Sequence, residues 1–358
     1  MPLFDDYPPD YRRAETARIL AAARAGECSA VVGLSGAGKS NLLGFIAHRL
    51  NPEGRFILVD GNRARPKTAD GLLFEMARVV GSAAGRAAGP AADPSLPGPL
   101  EALEAACSRA LEPPGAGLCL LLDRFDALDE AAQEDAAGPL RALRDAFKYR
   151  LAFVTASRRP PDPRSEMAEL FYANTLWLGP LAQPDALWSA RQFAARRELA
   201  WDEDRLGQLV TLSWGYPSLL RGCCEAAADG CALELAALAA HPAVRRRVEE
   251  FWAGEPSEDD LRRSGLAGHP LLERRPTAPA ELTQLEHRLL AVLQARAGEV
   301  VEKDDLVRAV WPEDRVLDGL RDDSLAQLVR RVRQKIEPDP SRPRRLLTVP
   351  GRGYRYQP

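Results

Sequence analysis

No segment of the 358-residue sequence stays apolar for the roughly 18–20 residues that a membrane-spanning helix needs. The longest aliphatic run, Leu118–Leu122, is only strand-length. Signal-peptide features are missing as well: the first residues, MPLFDDYPPDYRR, carry acids and prolines where a basic start and an apolar stretch belong. Net charge is nearly absent. The 48 Lys+Arg and 51 Asp+Glu leave a formal -3, which excludes a polycation built to coat nucleic acid along its whole length. Cysteine is sparse, and none of the six (Cys28, Cys107, Cys119, Cys223, Cys224, Cys231) falls in a C-x-x-C pair. Several lie in apolar segments, so they read as buried, reduced thiols of a cytoplasmic protein. No internal repeat is visible. What is present is ordinary globular composition, 46% hydrophobic and 28% charged, which excludes a mainly disordered chain. The length suits two or three domains of roughly 100–200 residues.

Short apolar runs alternate with helical patterns from about residue 15 to 180. The runs Ser29–Val32, Arg55–Val59, Leu118–Leu122, Leu151–Thr155 and Thr175–Leu178 are apolar throughout rather than alternating, as strands buried on both faces read. Helical spacing lies between them; Leu42, Leu43, Ile46 and Leu50 share one face of Asn41–Leu50. The pattern predicts a βαβ-built α/β domain with a parallel sheet over 1–180. Residues 81–100, rich in Gly, Ala and Pro, read as a surface insertion. Residues 181–252 hold no strand pattern and predict a helical bundle, broken at Trp214-Gly215-Tyr216-Pro217. Residues 253–280 lack periodicity and read as a linker. From 281 to 358 three helical stretches (Leu282–Leu293, Lys303–Trp311, Ser324–Ile336) lead to a hairpin around Pro350-Gly351-Arg352-Gly353.

Gly33-Leu34-Ser35-Gly36-Ala37-Gly38-Lys39-Ser40 fits the G-x-x-x-x-G-K-S/T phosphate-loop pattern in full. Glycines let backbone N–H groups close on phosphate oxygens, and the following helix points its positive end at them. Lys39 supplies a charge for the β/γ-phosphates and Ser40 a hydroxyl for Mg²⁺. Gly33, Ser35, Gly36, Ala37, Gly38 and Asn41 complete the candidate nucleotide-binding set. A second signal is the apolar run ending in Asp123, a candidate Mg²⁺ acid, with Asp126 close behind. Many such ATPases place a carboxylate directly after the metal acid to orient water. Here Arg124 stands there, Asp126 is the substitute candidate, and slow hydrolysis is expected. The strand ending Thr155-Ala156-Ser157-Arg158 offers Thr155, Ser157 or Arg158 as γ-phosphate sensors, because ligands of such sheets sit at the carboxyl ends of strands.

In order, GLSGAGKS, LLLDRFD, VTASR and the Gly215-Tyr216-Pro217 turn resemble the ATPase module of the STAND class, relatives of AAA+ ATPases, over residues 10–250. The resemblance implies ATP with Mg²⁺ held between sheet and helical lid, and Pro217 against the adenine. The family's N-terminal adenine motif is not intact: Asp10-Tyr11-Arg12-Arg13-Ala14-Glu15 lacks its glycine.

In the C-terminal segment, Val329, Val332 and Ile336 share a helix face, so Arg330, Arg331 and Arg333 point elsewhere. Arginine forks onto guanine or pairs with phosphate, and Arg352 at the hairpin tip has the reach of a minor-groove contact. Leu282–Leu290, Val300–Leu306, Val329–Glu337 and TVPGRGYRY at 348–356 resemble the winged-helix domain of OmpR/PhoB-type response regulators. This implies binding to double-stranded DNA through Arg330, Arg331, Arg333, Lys335, Arg345, Arg352 and Arg355. From Leu328 to Pro358 nine cations face two acids, a net +7, so -10 remains for the rest of the -3 total. Together the two resemblances imply a nucleotide-switched transcriptional regulator that assembles as a homo-oligomer with ATP, or answers an upstream protein signal. A replication-initiator-like or DNA-remodelling ATPase and a signalling scaffold are the alternatives.

Overall fold

The structure, a computed structural model, describes residues 4–51, 54–83, 98–273, 284–310, 320–337, 343–349 and 352–357. It divides into two compact units, Met1–Glu273 and Arg274–Pro358.

The first unit runs α1 (Arg13–Arg24), β1 (Ser29–Val32), α2 (Lys39–Arg49), β2 (Phe56–Asp60), α3 (Ala69–Ala83), α4 (Pro99–Ala110), β3 (Leu118–Asp123), α5 (Glu130–Ala146), β4 (Leu151–Ser157), α6 (Glu166–Phe171) and β5 (Thr175–Trp177). All five strands are parallel, in the order β2-β3-β4-β1-β5. Successive strand side chains point to opposite faces, and both faces are covered. Leu120, Leu122 and Phe153 pack with Leu72, Met76 and Leu140 on one side. Val31, Leu121 and Val154 pack with Ile19, Leu42 and Ile46 on the other. This double burial is why the strands read as continuous apolar runs. β3 and β4 extend past those runs to Asp123 and Ser157, whose backbones still pair although their side chains are polar. Of the expected 81–100 insertion, 81–83 close α3 and 99–100 open α4, while 84–97 lie outside the described residues.

The helical segment follows as α7 (Gln183–Arg196), α8 (Glu203–Leu212), α9 (Pro217–Ala228), α10 (Leu235–Ala240) and α11 (Pro242–Trp252). Ala186, Phe193, Leu209, Leu220, Cys223 and Val244 form its core. The turn before α9 needs its glycine: Gly215 has φ +67, and a Cβ there would stand 3.0 Å from the Leu181 carbonyl.

Residues 253–273 differ from the expected linker. α12 (Glu258–Arg263) starts on a capping box between Ser257 and Asp260, and a 3-10 turn spans Pro270–Leu272. Leu266 and Leu272 are buried in the cluster of Val31 and Leu34, and Leu271 in that of the helical bundle. Three anchoring leucines at irregular spacing leave no periodic signature, so the sequence pattern misses them. Residues 274–280 lie outside the described residues.

The second unit comprises α13 (Gln284–Ala295), β6 (Val300–Glu302), α14 (Lys303–Val310), α15 (Leu320–Ile336), β7 (Leu346–Val349) and β8 (Gly353–Tyr356). The strands form an antiparallel sheet in the order β6-β8-β7. Leu289, Leu293, Leu306, Val310, Leu328, Val332 and Tyr354 close its core. Trp311, expected at the end of the second helix, lies outside the described residues. All six cysteines are free thiols, five of them buried. Among the described residues no helix is long and apolar enough to cross a membrane.

Phe153 is fully buried at the centre of the sheet. Phe153→Ala is expected to destabilise the first unit by about 3–5 kcal/mol, through lost burial plus the cavity left behind. Urea unfolding of the full chain against the parent protein measures it.

Candidate nucleotide site and nucleic-acid interface

Residues 33–38 leave the end of β1 and turn into α2. Gly36 and Gly38 have φ +84 and +88, a left-handed backbone that glycine adopts without strain. Gly33 donates to the Ser157 carbonyl (3.1 Å) and Ala37 to that of Leu34 (3.1 Å), so the loop closes on itself and on β4. Gly38 caps α2 with no side-chain acceptor, leaving the helix's first amides and its positive end directed at the loop. Lys39 donates to the carbonyls of Gly33 (2.5 Å) and Leu34 (3.4 Å). Burial pushes its ammonium down to about 8; Asp126 and Asp123 oppose the shift and Arg158 adds to it.

β1 and β3 are not neighbours; β4 lies between them. Ser40, one residue into α2, reaches across and donates to Asp123 Oδ1 at 3.0 Å. Asp123 is buried, and burial raises its pKa against the opposing Ser40 hydrogen bond and Arg124 charge. Among the described residues no group of three His, Cys, Asp or Glu side chains could hold a metal alone. A hydroxyl and a carboxylate side by side suit Mg²⁺, which takes few protein oxygens and fills its shell with phosphate and water.

Asp126 follows in a 3-10 turn entered through Arg124, whose φ is +52. Arg158 Nε donates to Asp126 Oδ2 at 2.7 Å, so two predicted catalytic residues are paired with each other. Thr155 and Ser157 are buried, and the Ser157 hydroxyl donates to the Arg159 carbonyl (2.7 Å). Arg158 is therefore the sensor candidate whose side chain stands about half exposed. Pro217, at the first position of α9, packs against Gly38: its ring carbon is 3.6 Å from where a Cβ on that glycine would stand. Asn41 is exposed on the first turn of α2.

Two residues outside the predicted set hold this region together. Arg12 is 1% exposed and takes a left-handed backbone (φ +48), the conformation usually left to glycine. Its guanidinium donates to the carbonyls of Ala37 (2.9 Å) and Gly179 (3.0 Å) and pairs with Glu15 (2.8 Å), while its own N–H donates to Asp185 (2.9 Å). The second is Tyr216, whose hydroxyl donates to the Ser35 carbonyl at 2.7 Å. The missing glycine in Asp10–Glu15 was the sequence's only hint of the first.

The second unit sorts its cations. Leu325, Leu328, Val329 and Val332 of α15 face the core, and Arg330 and Arg331 are exposed. Arg333 instead donates to the Leu346 carbonyl (2.8 Å) and Thr348 (2.7 Å), bracing helix to hairpin. Lys335 pairs at 2.5 Å with the buried Glu286 of α13. Arg345 is exposed yet donates to the Ile336 carbonyl (3.2 Å), and Arg355 is half-buried in β8. Arg352 projects from the hairpin with Glu302 4.0 Å away. Glu337 is buried and accepts the N–H groups of Arg344, Arg345 and Leu346 (2.7–3.0 Å), fixing the start of the wing.

Residues 277–356 match the family model "Transcriptional regulatory protein, C terminal". The KDP operon transcriptional regulatory protein KdpE of Escherichia coli (strain K12) is 41% identical over 75 residues, 21% of this chain and 32% of that protein. The chain thus spans about a third of the length of such relatives. Two solved structures are similar at low identity. A Walker-type ATPase of Pyrococcus abyssi has 14% identity and a TM-score of 0.46, with 96% of this chain and 92% of that chain covered. The Aeropyrum pernix Orc1 protein in complex with DNA has 15% identity and a TM-score of 0.47, with 88% and 83% covered. The first unit is a parallel α/β sheet with a complete phosphate-loop sequence between β1 and α2. The second is an OmpR/PhoB-type winged helix, a DNA-binding transcription-regulator domain.

The sorted charges predict two kinds of variant. Arg331→Ala and Arg352→Ala should weaken DNA binding and flatten its salt dependence with little change in thermal midpoint. Arg333→Ala and Lys335→Ala should lower the midpoint of the second unit, the first by unbracing helix from hairpin and the second by removing the cation 2.5 Å from buried Glu286. Salt-titrated DNA binding beside melting curves separates the two.

Proposed function

We propose that the chain is an ATP-binding, nucleotide-switched DNA-binding protein that regulates transcription. The observation that carries this reading is the 3.0 Å Ser40–Asp123 contact, set beneath a complete phosphate loop, in a chain that also holds a transcription-regulator winged helix. Ser40 and Asp123 would hold Mg²⁺, which when bound neutralises phosphate charge. The loop amides of Gly36, Gly38, Lys39 and Ser40 and the Lys39 ammonium bind the phosphates, and Pro217 lines the base side. Asp126 and Arg158 act as a pair at the γ-phosphate end. Arg124 occupies the position after the metal acid, and the Asp126 carboxylate is already engaged by Arg158. With that carboxylate engaged, water is poorly oriented beside Asp123, and turnover is slow. In keeping with its STAND-like motif order, the protein works as a switch whose lid answers nucleotide state. ATP-dependent self-association and an upstream protein partner belong to the same reading, as does a cytoplasmic setting.

The switch requires ATP and ADP to interact differently with two arrangements of the chain, a coupling that in other proteins amounts to about 5–150-fold in affinity. DNA affinity measured with ATP, with ADP and without nucleotide should differ in that range for the parent protein. For Lys39→Ala the three values should coincide. Equal affinities in the parent protein overturn the proposal. Binding of ATP should also weaken as pH rises from 7 to 9. Lys39 is charged below its folded value of about 8 and loses that charge above it, so the phosphates lose their partner. A fluorescent ATP analogue titrated across this range checks the sign.

A further inference from the structure

The lid hydrogen-bonds the phosphate loop at the Gly215-Tyr216-Pro217-Ser218 turn. Tyr216 is fully buried, and its hydroxyl donates to the Ser35 carbonyl at 2.7 Å. Two residues on, the Ser218 N–H donates to the Gly36 carbonyl at 3.2 Å. The Tyr216 ring stands edge-on to Phe251 with centroids 5.9 Å apart, and it shares a core cluster with Leu34, Ala37, Leu266 and Leu272. One phenol therefore hydrogen-bonds the loop, packs on Phe251 of the lid and shares a core cluster with the segment that follows the lid. Burial raises its pKa far above the ordinary value, so it remains a neutral donor at any working pH.

We propose that Tyr216 is a positioning residue for phosphate recognition, acting through the Ser35–Gly36 peptide rather than by touching the ligand. The proposal rests on reading residues 33–40 as an ATP phosphate site. Its basis is the planarity of the peptide bond. In a trans peptide the carbonyl of one residue and the N–H of the next point in opposite directions. Holding the Ser35 carbonyl toward the lid therefore turns the Gly36 N–H away from it. Holding the Gly36 carbonyl through Ser218 does the same for Ala37, whose N–H is then taken up by Leu34. The loop has particular need of such a hold, since Gly36 and Gly38 are the residues least able to fix their own backbone. The sequence G-x-P marks this turn through its glycine and proline, yet the residue between them makes the contact.

Tyr216→Phe in the full chain removes only the hydroxyl and keeps the ring packing. Competition against a fluorescent ATP analogue gives the affinities for ATP and for adenosine. ATP binding should weaken about three- to tenfold, the worth of one neutral hydrogen bond, with adenosine unchanged. Amide exchange of residues 33–40 without nucleotide should quicken, and melting curves should show the fold retained. A general loss of packing would lower both affinities together and leave their ratio intact. An unchanged ATP-to-adenosine ratio in a parent protein that binds ATP overturns the role of Tyr216. Failure of the parent protein to bind ATP overturns the nucleotide reading itself.

Discussion

Because both faces of the five-stranded sheet are covered, its interior side chains must be apolar, and polar chemistry is confined to the strand ends. Everything at the candidate nucleotide site follows from that constraint. Asp123 can be a buried carboxylate only because it ends β3, where Ser40 donates to it and Arg124 stands nearby. Ser157 ends β4, where its backbone carbonyl receives the Gly33 N–H and ties the loop to the sheet. The strand order adds the spacing. With β4 between β1 and β3, the two ends stand about 10 Å apart, two strand separations, and Ser40 on the helix closes the gap.

The loop is held from outside as well as from within. Left-handed glycines give it shape but no stiffness. Its carbonyls are gripped by Arg12 from the N-terminal segment and by Tyr216 and Ser218 from the lid. The lid also ties in the segment after it: Leu266 and Leu272 pack in the cluster of Tyr216, and the His269 ring lies 4.7 Å from Trp214. A change at the loop therefore has a packed route through the lid to residues 264–272. That route is one of spatial contiguity, and coupling along it is a matter for measurement.

In the winged helix, net charge conceals a division of labour. The basic count from Leu328 onward suggested a uniform cationic tip. Instead Arg333 and Lys335 spend their donors inside the unit, on the hairpin backbone and on buried Glu286. Glu337, which the charge sum treats as a mere offset, anchors three consecutive amides of the wing. Arg330 and Arg331 on the helix and Arg352 on the hairpin are exposed to solvent.

What could be read directly from the chain was whatever depends on local pattern. Double burial writes itself as apolar runs, so all five strands were located to within a few residues. Gly36, Gly38, Lys39 and Ser40 are legible because a tight left-handed turn tolerates few residue types. The wing was legible from TVPGRGYRY. What depends on distant partners was not. Arg12 looks like any charged residue until Ala37 and Gly179, 25 and 167 positions away, come to its guanidinium. Tyr216 reads as filler between a glycine and a proline, and residues 253–273 as linker, because their anchoring leucines follow no period. The sequence alone determined which segments would be strand, loop and helix, since those choices follow from local sterics and burial pattern. Only the tertiary structure decided which carbonyls, carboxylates and guanidinia would meet, because hydrogen bonds between residues far apart in the chain leave no periodic trace in it.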